Sequence, residues 1–170
     1  FIIYCIFVGV KLFTMKKLFL LTLLFPSICF AQVPAGCELN VLVDSLDAPW
    51  EIEWGPDNRI WFTEKLGKIK ALNLKDGSVK ELAKLPNVIT TGEGGLLGMA
   101  FDPEFLSNKF IYCIYNFTPS AGLQRMRLVR YQYEEQADTL LNLSVILDGI
   151  KSASIHNGAR IVFDAEGKIL

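Results

Sequence analysis

Basic residues are in short supply. Of the 17 Lys and Arg in the 170 residues, three (Lys11, Lys16, Lys17) fall within the first 31, which hold no acid. Residues 32–170 therefore carry 14 basic against 18 acidic groups, and no surplus of positive charge exists to neutralise phosphates. That excludes a nucleic-acid partner held through a basic surface. Histidine occurs once, at His156, and cysteine four times. With Cys5 and Cys29 in an N-terminal leader, Cys37 and Cys113 remain, at a spacing that matches no zinc motif. These two either pair, as export allows, or stay as one exposed and one buried thiol. Gly-x-Ser-x-Gly is missing and no carboxylate pair of hydrolytic type stands out. The one glycine cluster precedes a strand, so it lacks the helix that a phosphate-binding loop requires. Disorder is excluded as well, because 51% of the residues are hydrophobic and only 21% charged.

A long uninterrupted apolar run is also lacking. Met15-Lys16-Lys17 precedes the apolar stretch Leu18–Phe25, then Pro26-Ser27, with small residues Cys29 and Ala31 placed for a cut before Gln32. This layout predicts a signal peptide over 15–31 and export to the periplasm or the medium. A membrane anchor is the alternative, but Pro26 and Pro34 interrupt the charge-free run Leu18–Cys37, so no stable membrane insertion is expected once the signal is removed. Residues 1–14 begin with Phe and read as translated upstream of the natural start. At the other end, Gly167-Lys168-Ile169-Leu170 reads as a strand just beginning. Both ends suggest a fragment, divided into an N-terminal segment over 32–45 and one domain over 46–170.

That domain reads as strands and tight turns. Trp50–Trp54 alternates apolar and polar residues, as a half-buried strand should. Gly55-Pro56-Asp57-Asn58 turns the chain into Arg59–Thr63. Lys68–Leu72 and Ser78–Leu82 complete a four-stranded meander, with turns at Leu66-Gly67 and Asp76-Gly77. The opening phrase recurs, since an apolar residue and an acidic turn lead into a second apolar strand at Trp54, Phe101 and Phe163. Spacings of 47 and 62 residues suit stacked four-stranded blades. The fold class expected is therefore all-β, a β-propeller, which needs ~4–8 blades to close. About two and a half blades are present here, with a β-sandwich as the alternative. Asp57, Asp76, Asp102 and Asp164 read as turn formers.

Two loops hold residues capable of chemistry. His156 lies in Ser154-Ile155-His156-Asn157-Gly158, just before the strand that opens the third repeat. The loop entering the innermost strand of a blade lies at the mouth of the channel, and imidazole accepts protons near neutral pH. His156 is thus either a general base or a solvated loop residue. Thr90-Thr91-Gly92-Glu93-Gly94-Gly95 holds the corresponding place before the second repeat. Its glycines let backbone approach a ligand closely, or they form a tight turn whose Glu93 faces solvent. Arg160 reads as the partner of a structural ion pair more readily than as a ligand contact.

Gly92-Glu93-Gly94-Gly95-Leu96-Leu97-Gly98-Met99-Ala100-Phe101-Asp102-Pro103-Glu104-Phe105 resembles the glucose/sorbosone dehydrogenase family, exported six-bladed β-propellers. The resemblance starts near Leu46-Asp47-Ala48-Pro49-Trp50-Glu51-Ile52, includes Ile60-Trp61-Phe62-Thr63-Glu64, and continues through His156-Asn157-Gly158-Ala159-Arg160-Ile161-Val162-Phe163. It implies an aldose dehydrogenase that uses pyrroloquinoline quinone (PQQ) and Ca²⁺, a small-molecule sugar substrate and an external electron acceptor. The implied role of His156 is catalytic, taking the proton of a sugar hydroxyl as hydride moves to the quinone. Glu93 would bind the cofactor, and the implied Ca²⁺ ligands lie beyond Leu170. By itself the 170-residue stretch is expected to be inactive.

Two positions depart from the glucose enzymes. Glu93 stands where they place a glutamine, and a carboxylate beside an anionic quinone is repelled unless protonated or paired. Ile155 replaces an aspartate that precedes the histidine, which points to a different sugar pocket. Two other functions stay open: a non-catalytic protein- or ligand-binding propeller of the same family, and a Ca²⁺-dependent lactonase-type propeller.

Overall fold

A computed structural model describes residues 34–119 and 123–170. The chain divides into two compact units, Phe1–Asn40 and Val41–Leu170. Of the first, the described part is an exposed turn in which the Cys37 N–H donates to the Pro34 carbonyl at 3.0 Å. The expected signal peptide at 15–31 and the stretch 1–14 lie outside the described residues. Among the described residues, no helix is long and apolar enough to cross a membrane.

The second unit is all-β and holds two four-stranded antiparallel sheets, each a meander in chain order. The first blade comprises β1 (Pro49–Trp54), β2 (Ile60–Glu64), β3 (Lys68–Leu72) and β4 (Val79–Lys84). The second comprises β5 (Leu96–Phe101), β6 (Phe110–Phe117), β7 (Arg125–Glu134) and β8 (Thr139–Lys151), with a one-turn helix α1 (Phe105–Asn108) between β5 and β6. A third begins as a tight hairpin, where Phe163 bridges Ile169 around the turn at Asp164–Gly167.

The turns work as the sequence predicts, because each acidic residue takes the N–H groups that the bend leaves without a ladder partner. Asp57 accepts from the Arg59 N–H at 3.1 Å, Asp76 from the Ser78 N–H at 2.9 Å, Asp102 from the Glu104 N–H at 2.9 Å, and Asp164 from the Glu166 and Lys168 N–H groups at 2.9 and 2.8 Å.

The main core lies between the two blades. Trp61, with no exposed surface, is met edge-on by Phe101 at 5.2 Å and Tyr133 at 5.1 Å, and Leu82, Leu96, Met99 and Val129 fill the space around them. Cys113 is buried there as a free thiol whose pKa burial raises, and Cys37 is a free, exposed thiol. On the opposite face of the second blade, Ala100, Tyr112 and Leu128 pack against Ile161 of the third. There the backbones approach closely: a Cβ on Gly98 of β5 would lie 1.8 Å from the Ala159 carbonyl oxygen.

β1 corrects the expectation from alternation. Trp50, Ile52 and Trp54 are the exposed residues, and Glu51 is the buried one. The strand turns its charged face inward, where Arg160 lies 3.3 Å from Glu51 Oε1 and the Ile52 N–H donates to the same oxygen at 3.3 Å. Arg160 thus makes the structural ion pair expected of it.

A polar clasp joins the blades at their rim. Arg59 of the first blade donates to Asp57 Oδ2 at 2.7 Å, to Asp138 Oδ1 at 2.8 Å and to the Tyr133 hydroxyl at 2.8 Å. Burial pushes the Asp138 carboxyl up, but the hydrogen bonds from Arg59 and Tyr133 and the charge of Arg59 outweigh it and hold the pKa at about 2. A carboxyl depressed on folding stabilises above its unfolded value of 3.8 and loses that contribution as the pH falls through its folded value. The clasp should therefore weaken between about pH 4 and pH 2, by about 2 kcal/mol. Urea midpoints at pH 5 and pH 2.5 check this: Asp138→Asn should be less stable at pH 5 and should lack this part of the acid sensitivity. Separately, Gly98→Ala should cost roughly 1–3 kcal/mol of stability in the same assay, because the new methyl group meets backbone that has no rotamer by which to move aside.

Candidate functional site

The two loops singled out in the sequence meet at one place. Chain passes from β4 through residues 85–95 into β5, and from β8 through residues 152–160 into the third blade. Between them the Glu93 N–H donates to the Ser154 carbonyl at 2.9 Å. Gly92 allows this approach: its φ is +61°, and a Cβ there would sit 2.1 Å from the Ser154 oxygen. The His156 N–H in turn donates to Glu93 Oε2 at 2.5 Å. The proposed base and the proposed cofactor residue are therefore neighbours, although 63 positions separate them.

Each loop is braced from outside. Lys65, at the end of β2, donates from Nζ to the Gly92 carbonyl at 2.7 Å, and its own carbonyl accepts the Leu96 N–H at 3.1 Å. Asn157 closes its loop on Ala153, accepting the Ala153 N–H at 3.1 Å and donating to its carbonyl at 2.7 Å. Asn116 joins the two loops from beneath. It is fully buried in β6, its Oδ1 accepts the Gly95 N–H at 3.2 Å, its Nδ2 donates to Ser152 Oγ at 2.9 Å, and its carbonyl accepts the Ile89 N–H at 2.8 Å. Sequence reasoning missed Asn116. The signal was there, a single amide in the otherwise apolar strand Phe110-Ile111-Tyr112-Cys113-Ile114-Tyr115-Asn116-Phe117.

His156 and Glu93 are both exposed, as is Ile155. His156 lines a groove of about 410 Å³ together with polar Asn157, Lys151 and Ser152 and apolar Met126 and Ile150. The Asn157 amide and the Ser152 hydroxyl are engaged by Ala153 and Asn116. On the inward face of β1, burial raises the Glu53 carboxyl, the charge of Glu51 raises it further, and Arg160 partly offsets both. Among the described residues, no three His, Cys, Asp or Glu side chains converge on a point where they could hold a metal ion.

Residues 46–170 match the Glucose / Sorbosone dehydrogenase family. The chain is 36% identical over 138 residues to quinoprotein glucose dehydrogenase B of Acinetobacter calcoaceticus, covering 76% of this chain and 29% of that protein. It is 26% identical over 151 residues to an aldose sugar dehydrogenase of Escherichia coli (strain K12), covering 85% of this chain and 41% of that protein. Among solved structures, the PQQ-bound aldose sugar dehydrogenase of Streptomyces coelicolor superposes with a TM-score of 0.67 at 30% identity, over 77% of this chain and 39% of that one. The chain thus spans well under half the length of the relatives it matches. Its two stacked blades are those of a β-propeller, and by the match over residues 46–170 the chain belongs to the glucose/sorbosone dehydrogenase family.

Proposed function

We propose that this chain serves an exported, PQQ-dependent aldose dehydrogenase in which His156 takes the proton of a sugar hydroxyl. One observation supports the reading above the others: in a member of this family, the sole histidine of the sequence sits on a loop joined directly to the Gly92–Gly95 loop, at the mouth of a groove with mixed polar and apolar walls. Both loops enter inner strands of neighbouring blades, where a propeller gathers its ligand contacts.

The residues present fit an anionic quinone. Lys151 lines the groove and Lys65 Nζ lies on the Gly92 carbonyl next to Glu93, so both bring positive charge near the Glu93–His156 junction. Glu93, whose charge would otherwise repel such a ligand, has its Oε2 engaged by the His156 N–H, which lessens the repulsion that the glutamine of the glucose enzymes avoids. Glu93 in its cofactor-facing role and Lys151 are the side chains that would hold the group, and Ile150 and Met126 would line the groove beside it. When bound, PQQ supplies the two-electron acceptor for hydride leaving the sugar carbon. His156 does the complementary work: it accepts the hydroxyl proton as the carbonyl forms, and Asn157 keeps its loop closed meanwhile. Exposed Ile155 in place of a carboxylate leaves the pocket beside the base without a charged contact to sugar hydroxyls, in favour of an aldose other than glucose. The Ca²⁺ implied by the resemblance finds no ligand cluster among the described residues, and the chemistry assigned to this chain does not run through it.

The test uses the full-length protein. The purified protein with PQQ and Ca²⁺ should reduce a dye in the presence of an aldose panel. His156→Ala should lower kcat on the order of 10²–10⁴-fold, the usual contribution of a general base. Quinone binding without turnover by any aldose would refute the sugar assignment. A folded protein that binds no quinone would favour a binding propeller. Cleavage of the precursor before Gln32, read by N-terminal sequencing of the exported form, checks the export signal.

A further inference from the structure

His156 is held in a conformation that it would not choose alone. Its φ is 58°, in the left-handed region that few non-glycine residues occupy, histidine among the more tolerant of them. Neither neighbour is a glycine that could take the bend instead, since Ile155 precedes it and Asn157 follows. Among the described residues, the contact available to hold it is the bond from its N–H to Glu93 Oε2, assisted by the carboxylate charge. The return contact, Glu93 N–H to the Ser154 carbonyl at 2.9 Å, makes the arrangement reciprocal. The rest of the loop is fastened at its flanks, at Ser152 by Asn116 and between Ala153 and Asn157 by the Asn157 amide. Among the described residues, Glu93 is the one that reaches the backbone of the histidine itself.

We infer that Glu93 is a positioning residue for His156: its carboxylate clamps the His156 backbone in the left-handed conformation and so sets where the imidazole stands. The catalytic consequence rests on the reading of His156 as the base; the clamp does not. The clamp also accounts for a carboxylate at this position, because an ionised oxygen makes a stronger acceptor for a strained N–H than an amide oxygen does. Glutamine preserves an acceptor without charge, and alanine removes it.

The test uses the full-length protein labelled with ¹⁵N-histidine, the His156 amide being assigned by its disappearance in His156→Ala. In the wild type this amide proton should lie well downfield of ordinary loop amides and exchange slowly with solvent. Glu93→Gln should move it upfield while keeping it protected, and Glu93→Ala should speed its exchange at least ten-fold. In the PQQ-loaded enzyme, Glu93→Ala should lower kcat at least ten-fold with a smaller change in KM, and Glu93→Gln should recover part of the loss. If Glu93→Ala does not fold, the upfield move in protected Glu93→Gln carries the test. An ordinary, rapidly exchanging His156 amide in the wild type overturns the clamp. Loss of protection in Glu93→Ala with kcat unchanged overturns the positioning role. A protected, downfield amide in a protein that binds PQQ but oxidises no aldose supports the clamp and instead refutes His156 as the base.

Discussion

Trp61 is the side chain on which the packing of the blades turns. Its indole is fully buried between them, its Nε1–H donates to both oxygens of Asp57 at 3.0 Å, and the edges of Phe101 and Tyr133 close around it. Asp57 also orients Arg59, whose guanidinium lies 5.5 Å from the centre of the Trp61 ring and reaches across to Asp138. One turn residue therefore positions an aromatic anchor and a cation together. Gly55 makes room, because a Cβ there would sit within 2.7 Å of Asp57 and the indole. With the two sheets fixed in this way, the carbonyl of Lys65 meets the N–H of Leu96, and Thr63 Oγ1 donates to the Leu97 carbonyl at 2.7 Å. Those contacts deliver the Gly92–Gly95 loop to its place.

The site is built from backbone more than from side chains. Glycines at 92 and 98 let one strand and one loop come within hydrogen-bonding or van der Waals distance of the segment 154–159, where any side chain would intrude. Such contacts are stiff: carbonyls and N–H groups of packed loops have few alternative positions, and each buried one must find a partner. Buried Asn116 meets that demand at three points with one amide and its own carbonyl. A propeller uses its rigid blades to hold loops of this kind, and the loops carry the chemistry.

Much of the fold was legible along the chain. The strand–turn rhythm, the acidic residue at each bend and the repeated opening phrase are local features, set by φ preferences and by the reach of a carboxylate two residues ahead. The four strands of the first blade match those read from the pattern, with ends shifted by a residue or two where pairing with a neighbour extends them, as β4 runs on to Lys84 beside β3; β7 and β8 were not located from the sequence. His156 and Glu93 were singled out as candidates from local cues, a lone imidazole and a carboxylate among glycines before successive apolar strands. Hidden from such reading were Asn116, whose role depends on two loops that are distant in sequence, and the clasp from Arg59 to Asp138 across 79 positions.

The sequence by itself determined the class of the fold, the places where the chain turns, the family resemblance and the loops on which chemistry could lie, because each of these depends on short-range spacing and residue type. The tertiary structure alone decided which face of a strand is covered. Alternation in β1 predicts two faces but does not say which one meets a neighbour, and the neighbour proved to offer a cation, so Glu51 went in and the tryptophans out. It also decided that Glu93 grips the backbone of His156, since a hydrogen bond spanning 63 residues exists only once two blades have stacked and brought their entering loops together.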